Sequence, residues 1–203
     1  MEKELVDYVD SKAEAIGEDF KMLSQLLWRK ATELTRGLTE KHIALNIIEP
    51  CMGGGKLLSM MPKSAQATGY EKGFVMFQYA KGLLENTLER DVTLYNEPFE
   101  FEFSEPCFPT FNLAISIPYS DGPINTEYEK DTKCLKFTNY AFYAMARCLD
   151  VLYSDCFGVF AIPISLLEDE QFKSDRQLLL KNAKVINSEK YKNFAIIVIQ
   201  KLK

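Results

Sequence analysis

The segment Ile47-Ile48-Glu49-Pro50-Cys51-Met52-Gly53-Gly54-Gly55-Lys56-Leu57-Leu58 constrains the fold most, because an apolar run meets an acidic residue, three glycines and then apolar residues again. That order is a buried strand, a tight turn and a helix start, the repeating unit of α/β proteins. Glycines there permit positive φ and let the backbone approach a ligand with no Cβ in between. Two phosphate-binding versions of such a turn are disfavoured. A dinucleotide fingerprint asks for glycine where Leu58 stands, and a P-loop asks for glycine at Pro50 and a hydroxyl residue at Leu57. The turn is therefore expected to hold a nucleotide-type ligand of another kind.

The rest of the chain supplies the alternation that such a unit needs. Leu23, Leu26, Leu27, Ala31 and Leu34 recur at helical spacing within Glu2–Gly37, which predicts a helix lying as a flank on the sheet, with Gly37 as its stop. Strands are expected at Ala44–Glu49, Ala67–Tyr70, Val92–Tyr95, Phe111–Ile117, Gly158–Pro163 and Phe194–Ile199. Helices are expected at Lys56–Met61, Gly73–Asn86, Phe137–Tyr153 and Glu170–Asn182. Val185-Ile186, a polar turn at Asn187–Lys192 and the last strand read as a terminal hairpin that places an antiparallel strand in an otherwise parallel sheet. The fold class is thus α/β, doubly wound and mostly parallel. A length of 203 residues with 47% hydrophobic content suits one domain, a helical flank at 1–41 and a core at 42–203.

In an open parallel sheet, ligands lie outside the carboxyl ends of the strands. Glu71, after the second strand, is placed to accept both hydroxyls of a ribose. Glu97 and Phe99, after the third, offer a carboxylate and an apolar face for a purine, although Phe99-Glu100-Phe101-Glu102-Phe103 also alternates as a half-buried strand does. The fourth strand ends in Ser116-Ile117-Pro118-Tyr119, where Pro118 stiffens the exit and Tyr119 presents a ring for stacking on a base. No histidine accompanies Ser116, so a serine nucleophile is not expected.

Composition removes several other classes. A net charge of -5 provides no broad basic field for nucleic acid, so a local patch or a partner would have to help. Five cysteines, without a Cys-x-x-Cys pair, and the lone histidine His42 argue against a zinc cluster or a disulfide framework. The charged Met1–Asp10 start is unlike a secretory signal, and no apolar run reaches the roughly eighteen residues of a membrane span. A cytoplasmic, soluble protein is expected. His42 reads as a surface or cap residue, Cys51 as a small apolar residue in the turn, and Tyr140, Tyr143, Ala144, Arg147 and Val151 as a packed helix face.

Together these residues resemble the class I S-adenosylmethionine-dependent methyltransferases, and among them those that modify exocyclic amino groups of adenine or cytosine in nucleic acids. The opening segment is similar to that family's Glu-Pro-x-x-Gly-x-Gly-x-Leu-Leu motif through Glu49, Pro50, Gly53, Gly55, Leu57 and Leu58. The resemblance runs from about Ile43 to the C-terminus and includes Gly158–Pro163 and Phe194–Ile199 as the fifth and last strands. It implies S-adenosyl-L-methionine as cofactor, with Glu71 on its ribose and Glu97 and Phe99 on its adenine side; Glu97 stands where Asp is usual. Ser116-Ile117-Pro118-Tyr119 is similar to the family's catalytic segment, and implies that Ser116, with Pro118 and Tyr119, faces the target base. Adenine enzymes usually carry Asn or Asp at the position of Ser116, whereas some cytosine enzymes carry Ser. The resemblance implies nucleic acid as the partner, DNA ahead of RNA and adenine ahead of cytosine, with a separate specificity protein because no room remains for a target-recognition domain. Its rivals are a non-catalytic methyltransferase-like subunit and a nicotinamide-dependent oxidoreductase, the latter disfavoured by the missing third glycine.

Overall fold

The computed structural model describes residues 2–41, 43–97, 99, 110–118 and 137–202, with side chains described from residue 20 onward except at 39. Helix α1 (Glu2–Glu40) leads into β1 (Asn46–Glu49), β2 (Gln66–Tyr70), α2 (Phe74–Lys81), β3 (Asp91–Tyr95) and β4 (Phe111–Ser116). Then come α3 (Tyr140–Val151), β5 (Leu152–Pro163), the short α4 (Ile164–Glu168) and α5 (Lys173–Leu179), β6 (Ala183–Tyr191) and β7 (Phe194–Lys201). The sheet order is β3-β2-β1-β4-β5-β7-β6. Strands β3 to β5 pair in parallel, whereas β7 is antiparallel to both β5 and β6. This is the expected doubly wound sheet with an antiparallel terminal strand.

Side-chain alternation explains why both faces are covered. Along β4, Leu113 and Ile115 join Leu23, Leu27 and Ala31 of α1, while Ala114 joins Phe142 and Met145 of α3. Strands β5 and β7 divide the same way, with Val159, Ala161, Ile196 and Val198 on the α1 face and Phe160, Ile162, Ile197 and Ile199 on the α3 face. Central strands buried on both sides read as near-continuous apolar runs, with Glu49 of β1 and Asn112 and Ser116 of β4 as buried polar exceptions. Trp28 adds a directional tie: its Nε1 donates to the Leu57 carbonyl at 2.7 Å, fixing α1 to the segment after the glycine turn.

Several elements depart from expectation. Lys56–Met61 forms only a 3₁₀ turn at Leu58–Met60, because Pro62 follows and one short turn cannot repay helix nucleation. Helix α1 runs past Gly37 to Glu40; an exposed glycine costs a helix about 1 kcal/mol, too little to end it. Glu170–Asn182 divides into a 3₁₀ turn, α5 and a second 3₁₀ turn. The polar stretch expected as a turn at Asn187–Lys192 is instead strand as far as Tyr191, and the chain reverses at Lys192 and Asn193 with φ 51° at Lys192. Strand β6 lies at the sheet edge, so its polarity reflects solvent on one side.

Candidate functional site

The order of strands reverses between β1 and β4, the place where open α/β sheets bind ligands beyond their carboxyl ends. Glu49 ends β1, Tyr70 ends β2 with Glu71 immediately after it, and Ser116 ends β4. The topology therefore gathers three of the sequence's candidate positions along one edge.

The turn after β1 depends on its glycines. Gly53 and Gly55 have φ of 51° and 76°, a region that side chains disfavour. A Cβ on Gly55 would lie 2.9 Å from Leu84 Cδ1 and 3.1 Å from Ala80 Cβ. One on Gly54 would meet the ring of Tyr79 at 3.1 Å, so α2 lies directly against the turn. The Met52 N–H donates to the Tyr70 carbonyl at 2.9 Å, and Gly55 N–H to the Met52 carbonyl at 2.8 Å. Pro50 and Cys51 are buried within this turn, which agrees with the apolar reading of Cys51.

Glu71 fastens the turn to α2. One carboxylate oxygen accepts from Gly53 N–H at 3.1 Å and the other from Gly73 N–H at 2.6 Å, immediately before α2. The Asn96 amide donates to the Glu71 carbonyl at 2.9 Å, which ties the end of β3 to the same place. Sequence reasoning missed Asn96, Gly73 and Trp28 as positioning groups. Gly73, two residues after an acidic strand end, and the lone tryptophan of the chain were the signals present.

Glu49 is only 2% exposed, and its Oε2 is buried with no hydrogen-bond partner among the described residues. Burial, and secondarily repulsion from Glu71, push its carboxyl well above the usual range. Ser116 is completely buried, and its Oγ likewise has no partner among the described residues. Pro118 is buried, while Ile117 packs against the α1-face cluster. Phe99 is completely buried, its ring centroid 5.0 Å from that of Tyr70, which stacks in turn on Tyr95. Phe99 thus serves packing here, and Tyr95 presents the more exposed ring of the three. Glu97 is half-buried just beyond β3. Tyr119, His42, Cys107, Cys134 and 100–103 lie outside the described residues. The stripe on α3 is packed as expected, with Tyr143, Ala144, Arg147 and Val151 buried.

A cleft of about 220 Å³ opens at the opposite, amino end of the strands, lined by Asn46, Gln66, Thr68, Asp91 and Thr93 among others. It lies away from the switch point, the glycine turn, Glu49 and Ser116, although Asn46, whose Oδ1 also has no partner among the described residues, lines it; the carboxyl edge is the better candidate. No cluster of metal-ligating side chains occurs among the described residues, and no helix among them is long and apolar enough to cross a membrane.

No protein-family profile and no curated protein matches the sequence. Solved structures do match. A Listeria monocytogenes protein described as a candidate class I S-adenosylmethionine-dependent methyltransferase superposes with a TM-score of 0.72 at 14% identity, over 88% of this chain and 59% of that one. A Haemophilus influenzae protein described as a candidate methylase gives a TM-score of 0.55 at 15% identity, over 87% and 99%. An rRNA methylase from Streptococcus thermophilus gives 0.51 at 12% identity, over 79% and 88%. At such identities the likeness is one of architecture, and the chain has the Rossmann-like fold of these methyltransferase structures.

Proposed function

We propose that the chain binds S-adenosyl-L-methionine over the Gly53–Gly55 turn and transfers its methyl group to an exocyclic amino nitrogen of a nucleic-acid base, with adenine in DNA as the first target to test. The observation that carries this reading is the convergence, at the switch point of a methyltransferase-like sheet, of a glycine turn and two carboxyl groups. The residues suit such a ligand. The turn lets backbone approach it, the Glu71 carboxylate would accept from ribose hydroxyls, and the buried Glu49 Oε2, without a partner among the described residues, would gain one from a cation. Pro50 and Glu97 complete the proposed set around the cofactor, and Phe99 would support it from behind through the Tyr70 ring on which it packs.

The bound donor supplies an electrophilic methyl carbon on a sulfonium. The chain's part is alignment and electrostatics. Ser116 Oγ would accept a hydrogen bond from the target amine, Pro118 holds the strand exit, and Tyr119 would stack on the base. A base within a duplex must first be flipped out, and a partner protein would supply sequence specificity. Calorimetric titration with S-adenosylmethionine, followed by transfer of labelled methyl to DNA and RNA oligonucleotides, tests the reading. Binding with transfer to DNA adenine is expected; a failure to bind overturns it.

One observation favours a second reading. Ser116 is completely buried, so as described its hydroxyl is closed to substrate. A non-catalytic methyltransferase-like subunit would bind the cofactor and transfer nothing in the same assay.

A further inference from the structure

We propose that Glu49 carries a proton in the empty protein and releases it when a cationic ligand occupies the glycine turn, so that ligand charge is selected by a proton-coupled counter-ion. The inference rests on the donor reading above and deepens it. Two carboxyl groups share this site in unlike surroundings: Glu71 receives two backbone N–H groups, whereas Glu49 is 2% exposed with a buried oxygen that no described group donates to. A buried carboxylate without donors is costly beside a second carboxylate, and holding a proton removes that cost. Where two carboxyls differ in this way, the one without donors is the one that keeps a proton.

The titratable groups whose fields reach Glu49, among the described residues, are Glu71 from beyond β2 and Cys148 from α3. Cys51 of the turn acts on the same Cys148 thiol, which burial also pushes up. Neither thiol offers positive charge, and among the described residues no lysine or arginine acts on Glu49. The described residues thus leave the compensating cation to a ligand. A ligand with a sulfonium and an ammonium group supplies it, and the carboxyl ionises as the ligand binds. The step balances: the proton leaves Glu49 for solvent, and the ligand cation takes its place as counter-charge.

Calorimetry with S-adenosylmethionine in two buffers of different ionisation heat counts the protons released. Below the pH at which Glu49 ionises in the empty protein, the unmodified chain should release up to about one more proton than Glu49→Gln, and its affinity should rise by up to about tenfold per pH unit until that point, while the variant stays flat. Equal proton counts, with binding retained in both, would overturn the inference and leave the donor reading intact. Absence of binding by the unmodified chain would overturn the donor reading and this inference with it. Carbon NMR of the ligand-free, unmodified chain provides a readout independent of the variant's folding. One glutamate carboxyl should still titrate well above the ordinary range, and its absence would also refute the proposal.

Discussion

Replacing Gly55 with alanine tests whether the turn's geometry is set by backbone conformation and by packing against α2. Two costs add. At φ 76° an L-residue pays about 1–2 kcal/mol for the left-handed region. Its Cβ would also stand 2.9 Å from Leu84 Cδ1 and 3.1 Å from Ala80 Cβ, and both residues are completely buried, so a well-packed wall must move at about 1–3 kcal/mol. The expected loss is about 2–5 kcal/mol, or roughly 5 °C or more in Tm for a chain of this size. Gly54→Ala is the internal control. Its added methyl meets the ring of Tyr79, which is 58% exposed, and the end of Met76, and both can swing aside. Urea unfolding followed by the fluorescence of Trp28, whose indole hydrogen-bonds the Leu57 carbonyl beside the turn, would read both variants. The reasoning fails if Gly55→Ala costs under about 1 kcal/mol, or no more than Gly54→Ala does.

Trp28→Phe should cost about 1–3 kcal/mol in urea unfolding followed by circular dichroism, because the buried Leu57 carbonyl loses its donor while most of the ring volume is kept. Asp175→Ala should cost about 2–4 kcal/mol, measured the same way, since the buried carboxylate accepts from the N–H groups of Thr138 and Asn139 and from the Thr138 hydroxyl at the start of α3. Glu49→Gln should become more stable relative to the unmodified chain as pH rises above the ordinary glutamate value of 4.5. A carboxyl whose folded pKa is raised stabilises the fold while protonated and loses that contribution as pH rises through the raised value; urea midpoints at about pH 5 and pH 8 would show the gap widening.

What could be read from sequence followed from local pattern. Ile47-Ile48 running into Glu49 and three glycines identified the strand and its turn, because steric limits on φ act on neighbouring residues alone. The apolar runs of β4, β5 and β7 were legible because strands buried on both faces are apolar at most positions. The edge strand β6 was misread as a turn at Asn187–Lys192, since its polarity depends on lying at the margin of the sheet, which no local pattern encodes. At Leu58–Met60 the apolar pattern of a helix yields only a 3₁₀ turn, because Pro62 ends the run before a helix can form.

At the site, residue identity and residue role separate. Sequence alone determined that acidic groups follow the first three strands and that glycines form the first turn. Only the tertiary structure decided what each does. It turned Glu71 toward two backbone amides that are 18 and 2 residues away from it along the chain. Among the described residues it gave the Glu49 Oε2 no such donor, and it buried Phe99 against Tyr70 and closed Ser116 from solvent. The physical reason is that burial and hydrogen-bond supply are set by which strands become neighbours. The order β3-β2-β1-β4-β5-β7-β6 is a property of the whole chain, so the charge state of a carboxyl at a strand end is too.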